Sequence, residues 1–287
     1  MRPARHDDFR LPDLRFVPIG ALVPHEQHDP QRLAPLVAGL RDEAVLKNPP
    51  VVAPLPGIAA GEPQFMVLDG ANRSSAARAA GLPHIVVQCV TYEPPHVILS
   101  TWHHALAGLT GPVFEEACRG IAGLEVRADS VLRARAMLAR REILAYAQHE
   151  GGAATTCRGG AGLEERNRLL NALVDTYRLR SRFYRTSTES FEVARERHPD
   201  VTTLVVFPHF EPVEVMELAG SGSRLPAGIT RHLIRWRALR INIPLERMAD
   251  PSQGLEAKNR WLKEWLEERW ARRQVRFYEE STVLFDE

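Results

Sequence analysis

One short segment constrains the fold more than any other, because an apolar strand runs through an acid and a glycine straight into a helix. Residues 64–68 are predicted to form a buried strand, and residues 71–80 are predicted to form a helix. Gly70 allows the backbone to turn tightly between them. Short strands and helices alternate throughout residues 14–110, which is the pattern of a compact α/β unit.

The start of this helix is predicted to bind an anion. The first N–H groups of a helix lack partners within it, and the helix dipole adds partial positive charge there. Arg73, Ser74 and Ser75 supply further donors, so a phosphate group fits the turn. Asp69 would lie beside the phosphates or a bound Mg²⁺, although it could also cap the helix.

Composition restricts the class of protein. The chain has 287 residues, which is enough for two modest domains, and 44% of them are hydrophobic. No run approaches the roughly 18 apolar residues that a membrane span requires. The N-terminal residues carry no apolar segment typical of a signal peptide, so we expect a cytoplasmic protein. A formal net charge of +1 gives no support for DNA binding.

The remaining secondary structure is predicted from hydrophobic periodicity, caps and Gly or Pro breaks. Residues 151–162 are rich in glycine and are predicted to form a loop. The other predicted strands are residues 14–18, 49–52, 85–90, 201–207 and 275–285. The other predicted helices are residues 29–43, 97–107, 111–122, 129–140, 163–180, 213–219 and 254–271.

Several motifs follow one another in a definite order along nearly the whole chain. They are Val23–Glu26, Leu46–Pro50, Leu68–Arg73, Trp102 and Leu225–His232. Their order resembles that of the free L-serine kinases of the ParB/sulfiredoxin superfamily, which use ATP or ADP to convert free serine into O-phosphoserine. The resemblance implies a ParB/sulfiredoxin-like nucleotide-binding domain over residues 1–110. A second mixed α/β domain over residues 111–287 would complete an active site in the cleft between the two.

The resemblance also implies roles for individual residues. Glu26 would be the catalytic base that deprotonates the serine hydroxyl, and Asp69 would act beside it and hold Mg²⁺. Lys47, the only lysine in the first 257 residues, and Trp102 would contact the substrate, although an exposed lysine and a core tryptophan are the structural alternatives. The residues implied in nucleotide and phosphate binding are Gly70, Ala71, Asn72, Arg73, Ser74, Ser75, Thr230, Arg231 and His232.

One pair of residues departs from the archaeal kinases, which carry histidine where this turn has Ala71 and Asn72. Asn72 can donate a hydrogen bond but cannot act as an acid or base near neutral pH. The choice between ATP and ADP is therefore left open, as is a homodimer. The expected partners are free L-serine and a nucleotide, with neither a membrane nor DNA.

Two other functions and a metal site are alternatives to the kinase interpretation. A ParB-like nucleotide-binding regulator would need a basic helix-turn-helix, whereas residues 129–141 are predicted as a single arginine-rich helix. A sulfiredoxin-type reductase would need a cysteine in the turn, and residues 70–73 contain none. A metal site at His25 and His28 is disfavoured, because the two are three residues apart beside Pro24 on a predicted loop.

Overall fold

The fold is taken from a computed structural model that describes residues 11–27, 44–55 and 63–278. Within them, the chain forms two compact units. The first contains the described residues of 1–23, 29–96 and 234–287, and the second contains those of 24–28 and 97–233. This division differs from the expected boundary at residue 110, because the chain after residue 233 returns to the first unit.

The bounds of the elements follow the chain. The strands are β1 (Asp13–Pro18), β2 (Leu22–Pro24), β3 (Val45–Leu46), β4 (Val51–Leu55), β5 (Gln64–Asp69), β6 (His84–Cys89), β7 (Val97–Thr101), β8 (His103–Ala107), β9 (Glu125–Ser130), β10 (Ala145–His149), β11 (Ala153–Arg158), β12 (Phe183–Thr186), β13 (Val201–Val206), β14 (Thr230–Ile234) and β15 (Ile243–Pro244). The α-helices are α1 (Ala71–Ala79), α2 (Gly111–Arg119), α3 (Val131–Ala139), α4 (Leu163–Asp175), α5 (Phe191–Arg197), α6 (Pro212–Gly220), α7 (Leu245–Ala249) and α8 (Leu255–Ala271).

The first unit is built on a five-stranded sheet in the order β1-β6-β4-β5-β2. Strands β1 and β6 pair antiparallel with Phe16 opposite Val86, while β4 and β6 pair in parallel. Helix α8 packs against β1, where the Asn259 side chain bonds both the N–H and the C=O of Phe16, at 2.8 and 3.0 Å. The middle of β5 is buried, so this strand delivers Asp69 to the start of α1 from within the core.

The second unit is built on a six-stranded sheet in the order β12-β8-β13-β10-β11-β9, and its neighbouring strands pair antiparallel. Its core joins residues of the sheet to α3 and α5, including the buried Tyr146 and Phe191. Strands β7 and β14 pair with each other in a separate two-stranded sheet. Thr230 is the first residue of β14, two residues after Gly228.

Two predictions of secondary structure are wrong in the second unit. Residues 97–107 form β7 and β8, not a helix, because a short apolar run fits a buried strand as well as it fits a helix turn. The predicted loop of residues 151–162 contains β11, which pairs with β10 after a turn at Gly151 and Gly152, both with positive φ. The first error concerns strands with distant partners, whereas β11 is the second strand of a hairpin with β10.

Two predicted elements fall wholly or partly outside the described residues. Residues 275–278 lie outside any strand, so the predicted strand of residues 275–285 is wrong over the part that the structure describes. The predicted helix of residues 29–43 lies outside the described residues, as does His28. None of the helices in the described part of the chain combines the length and the apolar character needed to cross a membrane.

Candidate active site

The predicted phosphate-binding segment in the first unit, Asp69–Ser75, is called the phosphate turn. Gly70 has φ +87° and precedes α1, and a Cβ at this position would lie 2.9 Å from Cα of Pro50. Only glycine fits this backbone conformation and this close approach without strain. No side chain caps α1, so its first N–H groups are not used by a capping side chain and point toward the turn.

Asp69 is held between two arginines. Its Oδ2 accepts a hydrogen bond from Arg73 at 2.8 Å and another from Arg237. Arg73 also donates to the carbonyl oxygen of Asn48 at 2.6 Å, which fixes the guanidinium beside the turn. Oδ1 of Asp69 makes no hydrogen bond with any residue that the structure describes, so one carboxylate oxygen is left to bind a ligand.

The other predicted residues of the first unit are used in different ways. The Ser74 hydroxyl donates to the carbonyl oxygen of Gly70 at 3.1 Å and the residue is buried, so it stabilises the first turn of α1 rather than offering a donor to phosphate. Ala71, Asn72 and Ser75 are half-buried in α1. Lys47 is half-buried directly after β3, next to the Asn48 that holds Arg73.

Glu26 lies in the second unit, where the chain around it runs beside Leu225. The Leu225 N–H donates to the carbonyl oxygen of His25 at 2.8 Å, and the Gln27 N–H donates to that of Leu225 at 2.9 Å. These bonds align Glu26 with the segment that leads to Gly228 and Thr230. We call His25, Glu26, Gly228 and Thr230 the base cluster.

Three donors hold the carboxylate of Glu26. Oε1 accepts from the N–H of Thr230 at 2.7 Å and from its hydroxyl at 2.5 Å, while Oε2 accepts from the N–H of Gly228 at 2.8 Å. The side chain is only 16% exposed. A carboxylate has about four acceptor positions, so one position on Oε2 remains open to a substrate hydroxyl. The arrangement suits an oriented general base.

The base cluster also contains a chain of proton donors. Nε2 of His25 lies 2.8 Å from Oγ1 of Thr230. Because the single hydroxyl proton of Thr230 is donated to Glu26, Oγ1 must accept a hydrogen bond from Nε2–H of His25. Both donors of Thr230 are directed at Glu26. Thr230 is thus bonded to Glu26 in the structure, and its contact with the nucleotide phosphates stays a prediction.

The remaining predicted residues of the second unit lie around the same segment. The Trp102 N–H donates to the carbonyl oxygen of Ile229 at 2.9 Å, and the guanidinium of Arg231 stacks over the Trp102 ring at 4.4 Å from its centroid. The ring of His232 meets that of His25 edge-on at 5.0 Å. Trp102 is half-buried between β7 and β8, where its ring is not part of the core.

A buried histidine that the sequence analysis did not select supports the base cluster. Nε2 of His104 lies 3.2 Å from the carbonyl oxygen of Gly228, and Nδ1 lies 2.8 Å from the Tyr177 hydroxyl. A carbonyl only accepts, so Nε2 carries the proton and Nδ1 accepts from Tyr177. His104 therefore fixes the carbonyl of Gly228, the residue whose N–H binds Glu26. The only signal in the sequence is a histidine pair within an apolar run.

The buried histidines predict a loss of stability in acid. Burial lowers the pKa of His103 to about 4 and that of His104 to about 3. Below about pH 6.5 the unfolded chain binds protons that the folded chain does not, so stability falls as the pH falls toward these values. Between pH 7 and pH 5 the free energy of unfolding should drop by about 2 kcal/mol for each histidine.

Urea denaturation at the two pH values measures this loss. In the variant His104→Gln, the change in the free energy of unfolding between pH 7 and pH 5 should be smaller by the about 2 kcal/mol assigned to His104. This holds whatever the effect of the substitution on stability at pH 7. An unchanged difference in the variant would contradict a neutral, buried His104.

The arrangement fits a Mg²⁺ ion that arrives with a nucleotide. No group of three or more His, Cys, Asp or Glu side chains within the described residues could hold a metal alone. Mg²⁺ bound to nucleotide phosphates needs only one or two protein carboxylates. Oδ1 of Asp69 supplies one such oxygen, and the two arginines on Oδ2 leave it available.

Curated L-serine kinases are similar to this chain, whereas no protein-family model matches it. The ATP-dependent L-serine kinase of Staphylothermus marinus is 32% identical over 101 residues, which are 35% of this chain and 38% of that kinase. The ATP-dependent L-serine kinase SbnI of Staphylococcus aureus is 22% identical over 96% of this chain and 97% of its own length. The resemblance to the free L-serine kinases is confirmed.

A solved structure extends the likeness to the fold. A free serine kinase in complex with AMP has a TM-score of 0.69 and 21% identity to this chain, covering 83% of this chain and 95% of its own. The predicted α/β fold of these kinases is therefore confirmed. The aligned segment of the Staphylothermus marinus kinase spans less than two fifths of that protein.

Proposed function

We propose that this protein is a kinase that transfers a phosphoryl group from a nucleotide to the hydroxyl of free L-serine, giving O-phospho-L-serine. The observation that carries the proposal is the carboxylate of Glu26. It is mostly buried, held by donors from Gly228 and Thr230, and has one acceptor position left on Oε2. A substrate hydroxyl at that position would donate its proton to Glu26.

The proposed reaction is a displacement at phosphorus. The serine oxygen attacks the terminal phosphorus of the nucleotide while its proton passes to Oε2 of Glu26, and the bond from phosphorus to the bridging oxygen breaks. The three donors on Glu26 fix the direction of its carboxylate, so that Oε2 can accept the proton. Donors for the nucleotide phosphates come from Arg73 and the first N–H groups of α1.

Mg²⁺ is part of the proposal. Oδ1 of Asp69 would hold the ion, which neutralises charge on the phosphates when it is bound. Arg73 and Arg237 contact the other oxygen of the carboxylate and fix its direction. Lys47, Trp102, Arg231 and His232 remain proposed contacts of the substrates.

An assay for O-phosphoserine tests the function directly. The protein is incubated with Mg²⁺, free L-serine and either ATP or ADP, and O-phosphoserine is detected by mass spectrometry. We expect product with one of the two donors and none after Mg²⁺ is removed with EDTA. Absence of product with both donors, at concentrations of serine and nucleotide that saturate related enzymes, would overturn the proposal.

The competing regulator is not favoured by any feature of the second unit. Helix α3 follows β9 and leads into β10, so residues 129–141 contribute one helix rather than the two of a helix-turn-helix.

A further inference from the structure

An exposed arginine lies against the backbone that holds the catalytic base. Gly228 has φ +78°, and a Cβ built there would lie 2.4 Å from Nε of Arg185 and 2.7 Å from its Cζ. The guanidinium thus packs on Gly228 itself, the residue whose N–H binds Oε2 of Glu26. Glycine at this position allows that approach, since any side chain would displace the arginine.

The fold fixes the direction of this arginine. Arg185 lies on β12, opposite His104 of β8, and alternate residues of a strand share one face. Phe183, two residues before it, stacks on the His104 ring with centroids 4.5 Å apart. The same His104 bonds the Gly228 carbonyl, so the face of β12 that carries Arg185 is the face on which Gly228 lies.

The charge of Arg185 is not neutralised by its neighbours. The side chain is exposed, and it forms neither a hydrogen bond nor an ion pair with Glu26 or with any other residue in the described part of the chain. Arg182, the residue directly before β12, in contrast stacks over the ring of Tyr184 at 4.9 Å from its centroid. A guanidinium has five N–H donors in a planar fork that suits a carboxylate.

Free serine differs from serine in a peptide by carrying its own α-carboxylate. Its hydroxyl oxygen and its carboxylate are about 3 to 4 Å apart, which is about the length of one residue. Glu26 and Arg185 flank the single residue Gly228, one bonded to its N–H and the other packed on its Cα. An amino acid whose hydroxyl meets Oε2 of Glu26 can therefore extend its carboxylate toward Arg185.

We propose that Arg185 binds the α-carboxylate of the acceptor and so restricts the enzyme to free amino acids. This inference rests on the proposed function, because it concerns the acceptor of the same reaction. It makes Arg185 a specificity-determining residue, whereas Glu26 acts on the hydroxyl. A charge-assisted, two-bond contact of this kind is worth about 10- to 100-fold in the binding of a carboxylate.

The experiment compares two acceptors. L-Serinamide keeps the hydroxyl and the amino group of L-serine but lacks the negative carboxylate. The kcat/KM of each acceptor is measured for the wild type and for Arg185→Ala, with Arg182→Ala, directly before the same strand, as the matched control. We expect Arg185→Ala to lower kcat/KM for L-serine by about 10- to 100-fold through KM, and to leave L-serinamide and the nucleotide KM unchanged.

Other results overturn the inference. Equal losses for both acceptors would mean that Arg185 acts on the shared part of the substrate, and a raised nucleotide KM would place it on the phosphates. An unchanged ratio of kcat/KM for L-serine to kcat/KM for L-serinamide would show that Arg185 does not contact the carboxylate. The variant Arg185→Gln, which keeps a long polar side chain without the charge, should behave like Arg185→Ala.

Calorimetric binding of L-serine separates this inference from the proposed function. If the wild type forms no O-phosphoserine but binds L-serine in an Arg185-dependent way, the kinase proposal fails and the carboxylate contact stands. If O-phosphoserine forms equally well in the wild type and Arg185→Ala, the kinase stands and the carboxylate contact fails. If L-serine neither binds nor reacts, both fail.

Discussion

Replacing Glu26 by glutamine should lower kcat for O-phosphoserine formation by about 10²- to 10⁴-fold, the usual contribution of a general base. Glutamine keeps the size of the side chain but cannot take the serine proton. The nucleotide KM should change little, because Arg73 and the start of α1 belong to the other unit of the chain. Steady-state assays with saturating L-serine measure both constants.

A matched control separates the loss of a base from the loss of a buried carboxylate. Glu115 in α2 also accepts a threonine hydroxyl, from Thr155 at 2.7 Å, and an arginine, from Arg119 at 2.9 Å. Glu115→Gln should keep wild-type kcat. Glu26→Gln also turns an amide toward a donor on Gly228 or Thr230, which costs about 1 to 3 kcal/mol of stability. Thermal denaturation must therefore show that the variant is folded at the assay temperature. A folded Glu26→Gln variant with wild-type kcat would remove Glu26 as the base.

The phosphate turn could be predicted from the sequence because its signals are local. A continuous apolar run indicates a buried strand, Gly70 indicates a turn, and the following residues favour a helix. The predicted strand and helix appear as β5 and α1, with bounds shifted by about one residue. The anion-binding character follows from the same local features, although the Ser74 hydroxyl is used inside the helix.

The contacts that make the base cluster and those that hold Asp69 could not be predicted, because they join distant parts of the chain. Thr230 meets Glu26 across 204 residues, and Arg237 meets Asp69 across 168 residues. Only the family resemblance brought Thr230 and Glu26 into one site, and it gave Thr230 a different partner. His104 was missed for the same reason, since its bond to Gly228 spans 124 residues.

The misassigned strands have a related cause. Strands β7 and β8 are short, and side chains on both of their faces are buried or half-buried. They therefore lack the alternation of apolar and polar residues that distinguishes a strand from a helix. Their conformation is set by pairing with β14 and β13, which lie more than about 90 residues further along the chain. The position of Trp102 between two strands follows from that pairing and not from the local sequence.

Replacing Asp69 by asparagine should lower kcat/KM for the nucleotide on the order of 10²- to 10³-fold, the usual cost of one group that stabilises transferring charge. Two effects add. Oδ1 loses the charge that attracts Mg²⁺, and Arg73 and Arg237 lose the carboxylate that fixes them. A titration with Mg²⁺ should show half-saturation at a higher concentration than in the wild type, while Glu26→Gln should leave that concentration unchanged.

The control for this substitution is Asp13→Asn on β1 of the same unit. Asp13 also pairs with an arginine, Arg15, at 2.7 Å, but both side chains are about half exposed and the pair lies on β1, away from the phosphate turn. Its loss should change neither the Mg²⁺ titration nor kcat/KM. If Asp69→Asn has the same Mg²⁺ dependence as Asp13→Asn and loses activity only, Asp69 positions the arginines and the ion is held by the phosphates alone. If Asp69→Asn keeps full activity as well, neither an Mg²⁺ contact at Oδ1 nor the pairing of Asp69 with Arg73 and Arg237 is needed for the reaction.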